Sequence, residues 1–522
     1  MAIFTSLVTL FSLAGCSNHN DYFYKPTGKV YLENDEIFKK GCATDNNGYE
    51  RFGSEVDRLT AVKPNSRQLD YLELEYYSFI HFGMNTFTGK EWGTGKEDEN
   101  LFNPTTIDTD QWCKVIKDSG SKGVIFTAKH HDGFCLWQTD TTEHSIKNSP
   151  YQNGKGDIVK QLAESCKKYG LKLGLYLSPW DMNCSEYGKD SYNDFFKAQL
   201  TELLDGRYGE IFSMWFDGAM GDDNIDPNFK YDMQGWEEII YRLQPNCVSA
   251  LQGSDVRWVG NEAGVSRENE WSVISDGEEA SLQYQNSEDG ADKLQQVSFD
   301  DKDVGSRDLL KKYKNLIFKP AEVDVSIHKG WFYHPTQKPK SLDHLMKIYH
   351  KAVGGNSNLL LNICPSKNGI IEERDAKRLK EFGDKIKEST SNPIEIDSVK
   401  VGNFATKTTL EDSEKNNLLS EERFTNYKLD NNDYILDFNF KKSTKVTRID
   451  LREDLRYSQR IEAYDVYIKV DNGWELLANL GNVGNRRSLV IEDRFAPITS
   501  AIRIVIRQSR DIPILRFVGL YS

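Results

Sequence analysis

Short apolar runs alternate with helical patterns from about Tyr76 to Glu388, and no other feature restricts the fold as tightly. Tyr77 to Met84 reads as a strand that ends at Asn85. Asp110 to Ser119 reads as a helix, with Trp112, Val115 and Ile116 on one face and Gly120 as its stop. Gly123 to Ala128 is the next strand. Asp157 caps a helix bearing Ile158, Leu162, Ala163 and Cys166, which Gly170 closes, and Leu171 to Leu177 returns as a strand. Helix Phe195 to Leu204, strand Glu210 to Phe216, helix Trp236 to Leu243 and strand Cys247 to Leu251 follow. Strand Val323 to Ile327, helix Leu342 to Ala352, strand Asn358 to Ile363 and a helix carrying Leu379, Phe382 and Ile386 complete the series. Repeated strand–helix units imply a parallel sheet with crossover helices, and over roughly 300 residues so many units favour an α/β architecture of the (β/α)8, TIM-like barrel type.

The unusual polar residues follow the strands: His81 and Asn85, His130 to Asp132, Ser178 to Asp181, and Asp217. In a barrel these are the C-terminal strand ends, where active sites form. The pattern changes after Lys387. Glu388 to Pro393 reads as a linker, and beyond it Tyr464, Val466, Ile468 and Val470 alternate with other residues, as do Ile502, Ile504 and Ile506 with Arg503 and Arg507. Period-two runs broken by turns such as Asp471-Asn472-Gly473 indicate a C-terminal antiparallel β-sandwich. The expected organisation is a signal peptide at 1–16, a tether and extension at 17–60, the barrel at 61–390 and the sandwich at 396–522. Gln283 to Asn315, acidic and rich in Ser and Gln, reads as an insertion.

A chain of 522 residues, 38% of them hydrophobic, exceeds what one core needs, in keeping with two domains and appendages. Its net charge of −14 argues against nucleic acid or an anionic membrane surface as the main partner. The 10 Trp and 25 Tyr suit sugar binding, where C–H faces pack on flat rings, and suit a large aromatic core equally well. Eight cysteines, irregularly spaced and without a Cys-x-x-Cys pair, read as buried thiols rather than a disulfide scaffold or zinc site. No obligate protein partner is evident.

Ile3 to Ala14 is apolar but too short to span a bilayer, and it ends in Leu13-Ala14-Gly15-Cys16. That ending resembles the bacterial lipobox, in which Cys16 becomes the lipidated first mature residue. The resemblance implies an envelope location, periplasmic or on the outer-membrane surface, held by acyl chains. Met1 and Ala2 carry no Lys or Arg, so an accidental apolar N-terminus is the alternative.

Three motifs carry the chemistry. In Met214-Trp215-Phe216-Asp217-Gly218 an apolar strand delivers a carboxylate to the rim and Gly218 lets the chain turn. Such a carboxylate can attack an anomeric carbon, or can simply cap a helix at a βα junction. Ala128 to Phe134 holds the adjacent His130 and His131, which are candidate sugar hydrogen-bonding groups. As metal ligands they are poorly placed on a strand, because neighbours point to opposite faces, and no metal or cofactor is expected. Phe79 to Asn85 holds a single histidine, His81, and is followed by Glu91-Trp92-Gly93, an acceptor beside a stacking face.

The runs around His81, around His130-His131, from Gly174 to Trp180 and around Asp217, in this order, together resemble glycoside hydrolase family 29, the α-L-fucosidases. Leu359 to Ile363, with Pro365 and Gly369, resembles that family's closing strand; Cys364 stands where the family often has Pro. The resemblance implies a retaining double displacement with Asp217 as nucleophile. It also implies His81, Glu91, Trp92, His130, His131 and Tyr176 as contacts to the sugar. Asp255 to Gly264, Ala321 to Ile327 and Gly330 to His334 resemble the branch cleaving α-1,3 and α-1,4 fucose, which implies Glu262 as acid/base and Trp331 against the fucose methyl. Glu268, Glu270 and Glu278 are rival acids, and Glu322 reads as structural. Arg257 is a candidate to steady Asp217, against the reading of an exposed loop arginine. The expected partners are fucosylated oligosaccharides or glycoprotein glycans. The C-terminal sandwich resembles discoidin-like or carbohydrate-binding modules, with support of the barrel the favoured role. A hydrolase of another α-L-sugar such as L-galactose, or an inactive fucose-binding lectin, are the competing functions.

Overall fold

The structure is a computed structural model that describes residues 23–39, 50–221, 225–276 and 303–522. The apolar run from Ile3 to Ala14, Cys16, Glu278 and most of the expected insertion lie outside the described residues.

Eight parallel strands form one sheet: β1 Tyr76–Ile80, β2 Gly123–Lys129, β3 Lys172–Leu177, β4 Ile211–Phe216, β5 Val248–Leu251, β6 Arg257–Trp258, β7 Ala321–Ser326 and β8 Ser357–Ile363. Their spatial order is β5-β4-β3-β2-β1-β8-β7-β6, and a parallel bridge between Ala250 and Val256 joins the two ends. The sheet is therefore a TIM-like barrel. Five crossover helices and one that follows the last strand surround it: α1 Thr109–Asp118, α2 Ile158–Tyr169, α3 Ser191–Leu204, α4 Met233–Leu243, α5 Leu342–Ala352 and, last, α6 Glu373–Glu388. Asp108, Asp157, Asp232 and Ser341 cap α1, α2, α4 and α5 by accepting a first-turn backbone N–H, so these helices start where an orphan donor finds an oxygen.

Alternation along the strands divides the core in two. Tyr76, Ile80, Leu175, Met214, Phe216, Val323, Leu359 and Leu361 face the helices. Tyr77, Phe79, Ile125, Tyr176, Trp215, Ala250 and Leu360 fill the barrel interior. Because side chains change face with period two, the same register carries His81, Asp217, Asp324 and Asn362 inward at the top of their strands. The first strand is shorter than the sequence suggests. It ends at Ile80, and Met84–Thr88 is a helical turn closed by Gly89 at φ 72°, because Gly83 and Thr86 form a capping pair instead of continuing the ladder.

The C-terminal unit packs two antiparallel sheets, one built around Ile435–Lys445, Ile461–Val470, Gly473–Leu480 and Ile498–Ser509, the other around Arg448–Glu453 and Ile514–Tyr521. Part of the expected N-terminal tether belongs to it. Val30–Tyr31 adds a strand beside Gly473–Leu480, and Phe38 is fully buried in the sandwich core. Arg503 is consequently buried although it occupies the polar phase of its strand: it pairs with Asp437 at 2.6 Å and Glu33 at 2.7 Å and lies over the rings of Phe38 and Trp474. A two-residue strand leaves too little periodicity to be read from sequence.

Candidate active site

Asp217 follows β4 directly. Its Oδ1 accepts the backbone N–H of Ala219 at 2.8 Å and its Oδ2 accepts the Tyr176 hydroxyl at 3.1 Å, so the carboxylate is held at both oxygens. Tyr176 is fully buried and stacks on Trp215 at 5.4 Å, which in turn donates from Nε1 to Glu322 at 2.6 Å. Glu322 also accepts from Tyr71 and Tyr77 on the barrel floor. A buried polar stack thus runs from the floor of the barrel up to Asp217, with each donor matched to an acceptor.

Strand β2 ends at Lys129, so His130 and His131 lie in the turn that follows and are not constrained to opposite faces. Their ring centroids are 4.2 Å apart. His130 stacks on Tyr176 with planes 7° apart, and His131 Nε2 stands 3.9 Å from Asp217 Oδ2. The tautomers follow from the partners. Ser178 donates to the Trp180 carbonyl at 2.6 Å, which leaves its oxygen to accept from His131 Nδ1 at 2.7 Å. Asn362 donates to the Trp331 carbonyl and to Ser326, both at 2.9 Å, which leaves its carbonyl oxygen to accept from His81 Nδ1 at 2.8 Å. Burial pushes His81 down to about 3; it also lowers His131, against the opposing pull of Asp217. Both rings are then neutral near pH 7, each presenting Nε2 as an acceptor suited to a substrate hydroxyl.

Glu262 lies on the segment after β6 and is exposed to solvent at the rim. Its Oε2 accepts the Trp331 indole N–H at 3.2 Å. Partial withdrawal from water raises its pKa, the Trp331 hydrogen bond lowers it, and the negative charges of Asp217 and Glu91 raise it again. Glu91 is engaged on the far side of the same loop. Its Oε2 accepts the backbone N–H groups of Trp331 at 2.8 Å and Phe332 at 3.3 Å, and its Oε1 lies 2.7 Å from His334 Nε2. A Cβ at Gly330 would collide with that carboxylate, so the loop needs glycine there. Trp331 is half-buried, 5.1 Å from His81, whereas Trp92 is 57% exposed and meets His131 and Trp180 edge-on.

The structure brings His81, His130, His131, Tyr176, Asp217, Glu262, Trp331, Glu91 and Trp92 to one mouth. Arg257 is the correction. It is buried rather than loop-exposed and forms its ion pair with Glu270, with a further bond to the Trp271 carbonyl at 2.7 Å; its partner is not Asp217. The reason is alternation within β6, which sends Arg257 and Trp258 to opposite sides. Glu270 is thereby removed as a rival acid: burial raises its pKa, but Arg257 and Arg267 outweigh burial and hold the group ionised. Ser178 and Asp181 belong to a run singled out from sequence, whereas Asn362 and the pairing of buried Lys129 with Asp181 at 2.8 Å were not. Asn362 sits on the inward phase of the closing strand, a polar residue amid leucines, which is the signal that could have found it.

A carboxylate held at both oxygens, a second carboxyl with a raised pKa and acceptors for hydroxyl groups can together perform displacement at an acetal carbon. Comparison with known proteins agrees. A family model described as Alpha-L-fucosidase matches residues 61–390. The chain is 36% identical over 477 residues to Alpha-L-fucosidase 1 of Arabidopsis thaliana, covering 88% of this chain and 87% of that one. Among solved structures, a glycoside hydrolase 29 family member from an unknown rumen bacterium is similar at a TM-score of 0.72 and 34% identity, over 88% of this chain and 77% of the other. A Ruminococcus gnavus fucosidase of the same family, solved in complex with fucose, is similar at a TM-score of 0.75 and 25% identity, over 95% and 99% of the two chains.

Proposed function

The chain belongs to the alpha-L-fucosidase family of glycoside hydrolases, and from that premise we propose that it is a retaining exo-α-L-fucosidase acting on terminal α-1,3- and α-1,4-linked fucose of glycans. In the first step Asp217 Oδ attacks the anomeric carbon while protonated Glu262 gives its proton to the departing glycosidic oxygen. The C1–O bond breaks and a fucosyl ester of Asp217 forms. In the second step Glu262, now ionised, takes a proton from water; the water oxygen bonds to C1 and the Asp217 carboxylate leaves. Two inversions return fucose with its original anomeric configuration.

The observation that carries this reading is geometric: a carboxylate oriented by Tyr176 and the Ala219 N–H shares one mouth with Glu262, whose partner Trp331 lies 5.1 Å from His81. Glu262 must be protonated to donate, and its raised pKa favours that state. His81 and His131 supply acceptors for the sugar hydroxyls, and Trp331 supplies an apolar face for the methyl group. The linkage preference rests on the Asp255–Gly264 and Gly330–His334 runs.

The test is an assay of wild type and Asp217→Ala on 4-nitrophenyl fucoside, 3-fucosyllactose, Lewis trisaccharides and an α-1,6-fucosylated core, with NMR of the first anomer released. Release of α-fucose from the 1,3 and 1,4 substrates by wild type alone is expected. Release of the β-anomer first would overturn retention, and preference for the 1,6 core would overturn the linkage. Binding of fucosylated glycans without hydrolysis would make the protein a lectin.

A further inference from the structure

We propose that Asp324 is a positioning residue for Glu262, acting through the indole of Trp258; this rests on Glu262 being the acid/base. The segment that carries Glu262 follows the shortest strand of the barrel. Strand β6 is two residues long and pairs only with Ala321 and Glu322 of β7. One more backbone bond, from Val259 N–H to the Glu322 carbonyl at 3.0 Å, ends the ladder. From there to Val265, Asn261 donates to the Val265 carbonyl and accepts from the Ala263 N–H, and Glu262 accepts the Trp331 indole N–H at 3.2 Å. Besides that bond at its tip, the loop stands on two feet at its base. One is Ser266, which donates to the Lys351 carbonyl at 2.5 Å outside the barrel. The other is Trp258, whose Nε1 donates to Asp324 Oδ1 at 2.7 Å inside it.

Asp324 is suited to be that foot. It occupies the inward phase of β7, one layer above Glu322 and one below Ser326, and is 3% exposed. Glu322 below it is fully engaged by Tyr71, Tyr77 and Trp215, so it cannot serve Trp258 as well. Burial holds the Asp324 carboxyl well above the usual carboxylate range; Trp258 opposes this and the charges of Glu262 and Glu322 add to it. Asp324 thus gives the indole N–H a buried acceptor inside the barrel. With a carbon side chain instead, Trp258 would lose its partner and the loop would pivot about Ser266, moving the Glu262 carboxyl relative to the glycosidic oxygen. A displacement of an ångström or so is enough to cost about 100-fold in proton transfer to a poor leaving group.

The experiment measures kcat/KM of wild type, Asp324→Asn, Asp324→Leu and Trp258→Phe on 4-nitrophenyl fucoside, whose leaving group needs little protonation, and on 3-fucosyllactose, whose leaving group needs much. Asp324→Leu and Trp258→Phe are expected to lose about 10- to 100-fold on the oligosaccharide and under about threefold on the aryl fucoside. Asp324→Asn keeps the acceptor for the indole N–H and should stay within about threefold of wild type on both. If Asp324→Leu does not fold, Trp258→Phe carries the comparison with Asp324→Asn. Equal losses on both substrates would mean a merely structural role, and an Asp324→Asn enzyme as impaired as Trp258→Phe would mean that the carboxylate charge is required; either result overturns the proposal. A wild type inactive on both substrates would instead sink the fucosidase reading on which it stands.

Discussion

Glu91 holds Trp331 by its main chain: Oε2 accepts the Trp331 backbone N–H at 2.8 Å, while the indole of the same residue donates to Glu262 at 3.2 Å. One loop thus couples a carboxylate on the β1 side of the mouth to the carboxyl on the β6 side. Glu91→Ala leaves two backbone donors and His334 without their acceptor, so Trp331 loses its fixed position. The expected outcome is a fall in kcat/KM of about 10- to 100-fold on every fucoside, measured by steady-state kinetics. A loss confined to substrates with poor leaving groups would show that Glu91 acts on Glu262 alone.

Tyr176→Phe removes the hydroxyl that orients Asp217 and leaves the ring stack with Trp215 and His130 in place. The predicted effect is about 10-fold or more on formation of the fucosyl ester, read by single-turnover kinetics, with little change in melting temperature. Unchanged single-turnover rates would show that the hydrogen bond does not orient the attack.

The Trp331 hydrogen bond lowers the Glu262 pKa, while limited hydration and the charges of Asp217 and Glu91 raise it. In the proposed mechanism Glu262 must be protonated to donate, so kcat/KM on an oligosaccharide should fall as pH rises through its raised pKa. Trp331→Phe removes the lowering influence and keeps an apolar face. The alkaline limb of the pH profile should then move to higher pH; movement to lower pH contradicts the assignment of Glu262 as donor.

Two buried histidines set an acid limit on stability. Burial pushes His81 and His350 each down to about 3, whereas an unfolded histidine titrates near 6.5. Between those values the unfolded chain binds protons that the native fold refuses. The contribution is therefore complete above about pH 6.5 and lost as pH falls toward 3, by about 1.4 kcal/mol per pH unit for each group. His350 lies on α5, outside the site. His350→Gln should flatten the dependence of unfolding free energy on pH by one such proton, as read from denaturant melts between pH 4 and 7.

Arg486 joins the sandwich to the barrel. It pairs with Asp450 at 2.6 Å in its own unit and with Glu75 at 2.8 Å beside β1. Arg486→Ala leaves Asp450 with Arg448 and Glu75 with Arg452 but removes the charged link between the units, and should destabilise by about 1.5–3 kcal/mol, seen as a lowered unfolding midpoint. A change under about 1 kcal/mol would show that the two units are not held together by this group.

Much of the barrel was legible because its strands and helices have strong, opposite periodicities. Helix Leu342–Ala352 is observed with the bounds read from sequence, and most strands differ by a residue or two. Strand β6 and the strand Val30–Tyr31 were not read, since two residues carry no period. The residues at the mouth were legible as polar side chains at strand ends and as family motifs. Their partners were not: Asn362 meets His81 across 281 positions of chain, a separation that no local pattern records.

Sequence alone determined the alternation of strand and helix, and with it which end of the barrel would carry Asp217, because backbone geometry ties side-chain direction to position along a strand. Only the tertiary structure decided that Arg257 pairs with Glu270 and not with Asp217, that His81 and His131 present acceptors, and that Glu262 meets Trp331. Those outcomes depend on which buried donors and acceptors arrive within hydrogen-bond range after distant strands close into one ring, and a linear pattern does not contain those distances.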